Sequence, residues 1–242
     1  MAKVPASPTR VYLDQYDLSG LLNSTSLDVT QETIPVNAFS DVGPRRLVGN
    51  YDHKQSHKGL LDAVALGYDA QAFALLVDGD HYLTQLFGAN AAGNVAYDSI
   101  VQLSAEPRSA AVGGAVLLDL ETQGSGGLAR GLVLANKITT GAENLAGYNM
   151  GATGAGTVLA AIFRVLAFAG TNITMHIEHG AADPPTVDVT GLTTTAMTAI
   201  GVQRVAVTVA TNAWKRLVIA GTFTSVTILV TCGIVQGTYV AP

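Results

Sequence analysis

Residues 11–62 read VYLDQYDLSGLLNSTSLDVTQETIPVNAFSDVGPRRLVGNYDHKQSHKGLLD, and the rest of the chain is organised around them. Apolar and polar residues alternate at Val11–Leu13 and Leu27–Val29, the pattern of half-buried strands. Two strands are therefore expected over 11–18 and 21–29, followed by a polar, turn-rich arm over 30–50 and a third element entering at 56–61. Pro35 lacks the N–H a central strand must donate, so any strand around it is an edge strand. No catalytic signature sits in this stretch. A small β framework that throws out a long loop bearing Val36, Phe39, Arg45 and Arg46 is a common means for a subunit to reach its neighbours.

Beyond this stretch, residues 60–77 carry the strongest helical spacing, with Leu61, Val64, Ala65, Ala72, Leu75 and Leu76 on one side. Gly67 weakens its middle, and Asp78-Gly79 ends it. Alternation resumes over 81–87, a Gly/Asn/Ala turn falls at 90–94, and 95–105 is again extended. Residues 113–122 and 129–135, joined by Gly124-Ser125-Gly126-Gly127, read as a hairpin. Five glycines among the sixteen residues 141–156 mark a linker.

After that linker the pattern is that of an antiparallel β-sandwich. Residues 157–169 are predominantly apolar, as in a fully buried strand, and Ile173, Met175 and Ile177 then alternate with Thr174, His176 and Glu178. Further β-branched runs fall at 187–189, 205–209, 216–219 and 226–234. The expected organisation is a β domain with one helix over 1–140, the linker 141–156 and a sandwich over 157–242.

Composition narrows the function. Hydrophobic residues make up 48% of the 242 and charged residues only 13%, which suits a surface covered by copies of itself. A net charge of −5, with thirteen thinly scattered Lys and Arg, argues against a protein that grips nucleic acid. A single cysteine, Cys232, excludes an internal disulfide framework and a multi-thiolate zinc site. The opening MAKVPASPTR has no apolar run of the secretory kind, and the apolar run ending at Ala169 is too short for a bilayer and interrupted by Arg164. The expectation is a protein made in the cytoplasm, with no membrane partner.

The remaining constellations favour bland readings. His53 and His57 are four apart, but Lys54 stands where a metalloprotease helix needs glutamate. His176-Ile177-Glu178 mimics the zinc-deaminase motif without its paired cysteines, and in a strand His179 takes the opposite face, so a solvated strand face is expected and no metal. The glycine runs near 124 and 151 lack the Gly-Lys-Ser/Thr ending of a phosphate loop and the setting of a dinucleotide site. Trp214 reads as a core or interface anchor. Neither a cofactor nor an enzymatic activity is expected.

The order of pieces in the opening stretch carries a resemblance. Tyr16-Asp17-Leu18-Ser19-Gly20, Leu22-Asn23-Ser24, Ser26-Leu27, Glu32-Thr33-Ile34-Pro35-Val36 with Phe39, and Arg45-Arg46-Leu47-x-Gly49 together resemble the opening of tail tube (major tail) proteins of long-tailed bacteriophages. The resemblance spans the first quarter clearly and extends faintly to about Leu134; it departs at Asn37-Ala38-Phe39-Ser40, where the family favours Thr-x-Phe-Gly. It implies a tail-tube-like β-barrel or sandwich in the N-terminal part. It also implies a homo-oligomer of stacked hexameric or pseudo-hexameric rings in a virion, contacts with other virion proteins, and DNA as passing cargo. On that analogy the 30–50 arm makes the inter-ring contact and the C-terminal sandwich is an outward decoration. No Lys or Arg occurs between Leu60 and Arg108, so Asp62, Asp69, Asp78 and Asp80 are candidates for the channel face. A capsid decoration protein and a carbohydrate-binding sandwich are the alternative readings.

Overall fold

The computed structural model describes residues 9–36, 43, 46–60, 79–105, 108–110 and 116–236. In chain order the strands are β1 (Arg10–Leu13), β2 (Tyr16–Asp17), β3 (Leu22–Pro35), β4 (Arg46–Leu60), β5 (His81–Leu86), β6 (Val95–Ala105), β7 (Arg108–Ala110), β8 (Val116–Gly124), β9 (Leu128–Thr139), β10 (Glu143–Asn144), β11 (Tyr148–Asn149), β12 (Val158–Gly180), β13 (Val187–Thr193), β14 (Gly201–Thr208) and β15 (Trp214–Gln236). All the pairings recorded between them in register are antiparallel. The chain is mainly β, and among the described residues there is no helix. The helix expected over 60–77 begins on Leu60, which is instead the last residue of β4; residues 61–78 lie outside the described residues.

Two units share the chain without following its order. One gathers residues 9–20, 82–99 and 129–235; the other takes the described parts of 21–81 and 100–128, with Gln236. This differs from a sequential split at 141–156. Those residues belong to the first unit, where Glu143 pairs with Ile219 and Tyr148 with Lys215 of β15. Of the five glycines there, Gly147 serves close packing, since a side chain on it would run into Asp183 and Pro185, while Gly151 and Gly156 take positive φ.

The first unit is built on β12 and β15, each of 23 residues, which pair from Leu159↔Ile234 to Gly180↔Trp214. The sequence suggested four short strands here. Two long ones form because the ladder bends without breaking, through register shifts between Val165 and Asn172. At that bend Gly221 has φ +133°, and a Cβ on it would strike the backbone oxygen of Asn172. Leu159, Ala161, Phe163 and Val165 from one half and Ile173, Met175 and Ile177 from the other belong to one core with Leu217, Ile219, Ile228 and Val230. The two halves of the bent ribbon thus contribute to the same core. Gly221→Val is expected to cost about 3 kcal/mol or more, since strain at positive φ adds to the collision; urea unfolding of the pure variant measures it.

The expectation of a fully buried strand holds for the first half of β12. Its other face is covered as well, with Ala160 packed against Ala129 and Val235. On from β15 the sheet order is β9, β6, β5, β1, β2. Tyr12, Leu86, Ala96, Val133 and Leu229 form a second small core there.

In the second unit β3 pairs with β4, β4 with β8, and β8 with β7 and the end of β6. The hairpin expected across Gly124–Gly127 does not form. β8, before the turn, partners Val101–Ala105 of β6, while β9, after it, pairs with Val95–Asp98. A nearby turn signal cannot reveal that a third, earlier strand takes the partner's place.

Candidate assembly surface

The arm is a two-stranded ribbon, longer than the sequence indicated. β3 runs on to Pro35 and β4 begins at Arg46, with Pro35 opposite Arg46. Among the described residues β3 pairs with β4 alone, so Pro35 does lie on an edge strand.

Opposed residues in the ribbon share a face. Val29 stands across from His53 and Gln31 from Tyr51, whereas Asp28 stands across from Lys54 on the other side. The second side is a charged, solvated face: Lys54 lies 3.4 Å from Glu121, Lys58 lies 3.7 Å from Asp119, and Gln123 donates to Asp52 at 2.6 Å. Such exposed pairs add little stability.

The first side changes character along its length. At the root, His53, Gln55 and His57 are buried, with Gly124 so close that a Cβ there would fall on the His53 ring. Thr25 Oγ1 and His57 Nδ1 are hydrogen-bonded at 2.7 Å. Across from His53, Val29 is 48% exposed, and further out Tyr51 is 50% exposed; on the opposite face Ile34 is 45% exposed, and Val36, just past the end of β3, is 39% exposed. The ribbon therefore presents apolar side chains to water on both faces.

Burial alone pulls the His57 pKa down from 6.5 to about 4, and burial also lowers His53 against the pull of Asp52. A depressed folded-state pKa contributes stability that is present above the unfolded value and lost as pH falls through the folded one. The root of the arm is thus expected to lose about 3 kcal/mol between pH 6.5 and 4 through His57. Unfolding curves of the wild type against His57→Gln across this range check it, the variant showing the shallower slope.

Of the other anticipated arm residues, Arg46 is exposed at the start of β4 and Val36 follows β3, while Phe39 and Arg45 lie outside the described residues. Asp62, Asp69 and Asp78, anticipated on a channel face, also lie outside them; Asp80 is exposed and its carboxylate accepts from Gln102 at 3.0 Å. Val29, Ile34 and Tyr51 were not singled out by sequence. Ile34 falls in the segment whose polarity reads as loop, Val29 closes the expected strand 21–29, where alternation predicts partial burial, and Tyr51 follows the arm.

Two polar clusters lie in the first unit. Arg164 is fully buried. Its Nε donates to the Asp14 carbonyl at 2.5 Å, one terminal nitrogen to Thr84 Oγ1 at 2.7 Å and the other to the Tyr82 carbonyl at 3.0 Å. Thr84 passes the contact on to the Asp98 carboxylate. Burial pulls Arg164 down to about 10, with Asp98 opposing, and pushes Asp98 up, with Arg164 opposing. The second cluster is His176 and Glu178 with Asp188 of β13, whose ligand atoms lie within 4.8 Å of one another. Sequence reasoning placed the first two on one face but had no means of adding Asp188.

No family model matches the chain, and no curated protein does. Among solved structures it is similar to a chain from the virion of a native gene transfer agent particle, at 15% identity and a TM-score of 0.45 over 53% of this chain and 98% of that one. It is also similar to the SPP1 Dit protein (gp 19.1), described as a hub of the adsorption apparatus in phages infecting Gram-positive hosts. That match has 11% identity and a TM-score of 0.38 over 93% of this chain and 98% of that one.

Proposed function

We propose that this chain is a non-enzymatic, self-assembling structural protein of a phage virion, and within that class a tail tube subunit stacked in hexameric or pseudo-hexameric rings around a DNA channel. The observation that carries the reading is the β3–β4 ribbon. An arm that only folded back on its own chain would hide one face. Here Val29 and Tyr51 on one side, Ile34 on the other and Val36 just past the end of β3 each keep 39–50% exposure. With β3 pairing to β4 alone among the described residues, this is an edge that natural monomers blunt or cover. A second copy of the chain supplies that cover. The resemblance of the opening stretch to tail tube proteins supports the same assignment.

In this reading the segment from Asp62 to Asp80 faces the channel, where carboxylates and the absence of Lys and Arg between Leu60 and Arg108 keep phosphates from binding a molecule that must slide. Negative-stain microscopy of the purified chain, beside sedimentation, tests the proposal. Rings or tubes are expected. A compact monomer at all concentrations, even with a nucleating tail tip supplied, overturns it, and recovery on emptied heads instead of tails would make the chain a capsid decoration protein.

A further inference from the structure

We infer that His176, Glu178 and Asp188 form a divalent-cation site on the outward face of the sandwich, suited to zinc. The ligand set is one imidazole nitrogen and two carboxylate oxygens, a combination zinc accepts and one with too much nitrogen character for magnesium or calcium. Two strands supply it. His176 and Glu178 project from the same side of β12, the side opposite the buried Met175 and Ile177, and Glu178 is the register partner of Asp188 on β13.

The charges around this face explain why a cation belongs there. Glu178 lies between Asp188 on β13 and Arg216 on β15, its register partners on the two sides. Two carboxylates directly opposite one another repel. Arg216 Nε donates to Glu178 Oε2 at 2.5 Å and compensates one of them, leaving Oε1 of Glu178 for a ligand bond. The side chains of Arg216 and Glu178 are 10% and 13% exposed, so this bond fixes the carboxylate as an outer hydrogen bond orients a metal ligand. Asp188, its side chain 73% exposed, has His176 as its charge partner among the described residues, at 3.3 Å from Nε2 to Oδ1. A cation bound by that nitrogen and both carboxylates neutralises the second charge. The remaining partners of His176 are uncharged, Thr193 on β13 and Val218 on β15.

The strand that brings Asp188 is held to β12 by three register pairs with an irregularity between His176 and Glu178. Cross-linking it to β12 through a metal therefore ties down the more weakly paired strand. The site is independent of the assembly proposal.

Isothermal titration of the untagged full chain with zinc chloride is the test, with melting temperature followed in parallel. One zinc ion per chain is expected, with a rise in melting temperature, and His176→Gln and Asp188→Asn are each expected to weaken binding at least tenfold while circular dichroism stays unchanged. Absence of saturable uptake by the wild type overturns the inference. So does undiminished uptake by both variants, which would place zinc on other histidines and leave this cluster as ion pairs only.

Discussion

Replacing Arg164 with alanine is expected to cost about 3–5 kcal/mol, a large share of the total stability of a natural domain. The guanidinium is fully buried and satisfies two backbone carbonyls, of Asp14 and Tyr82, together with the Thr84 hydroxyl. Its loss leaves Asp98 ionisable in a dry site and several acceptors without donors, and the penalty falls on what remains rather than on what is removed. The midpoint of urea unfolding should fall sharply with little change in slope. Combining Arg164→Met with Asp98→Leu is expected to recover part of the loss, because removing both charges is cheaper than stranding one. A double variant no better than Arg164→Ala would show that the hydrogen bonds to the carbonyls, and not the charge, dominate.

Placing aspartate at both Ile34 and Val36 is expected to abolish rings and tubes while leaving unfolding within about 0.5 kcal/mol of wild type, as for surface substitutions generally. Both side chains are already exposed in the single chain, at 45% and 39%, so their charged replacements can reach solvent and the fold loses little. An interface that buries them would have to desolvate two carboxylates. Deleting residues 36–46 should act in the same direction, since loops tolerate shortening better than core strands do. Electron microscopy beside circular dichroism reads both results; normal tubes from either variant would remove the arm from the mechanism.

These two sites were unequally legible in the sequence. Arg164 was visible only as an interruption in an apolar run, because its partners lie eighty or more positions away in sequence, at Asp14, Tyr82 and Thr84. The arm was visible in outline from Pro35 and the polar stretch around it. Its ribbon character was not, since a strand solvated on both faces shows no alternation to read. Where one face is buried and the other is not, the reading succeeded: Ile173, Met175 and Ile177 are core, and residues 95–105 are a strand with the anticipated bounds. It failed where pairing is decided by distant strands, as when β6 takes the place expected for β9 beside β8. Reading 216–219 and 226–234 as separate strands had a different cause. A glycine between them, Gly221, reads as a break but serves as a bend.

The pairing of β12 with β15 also sets an order of folding. Gly180 and Trp214 are joined by the segment that carries β13 and β14, whereas Leu159 and Ile234 at the other end are more than twice as far apart along the chain. Loop-closure entropy rises with that separation, so the cheapest first contact is at the Gly180–Trp214 end. From there each new pair adds only a short closure. The ribbon should zip towards Leu159, passing the bend at Gly170 and Gly221 before the core shared by its two halves is complete. Substitutions at Ile177 or Leu217 would then slow folding, while those at Leu159 or Ile234 would mainly speed unfolding. The long strands of this protein thus act as a track that turns a distant pairing problem into a sequence of local steps.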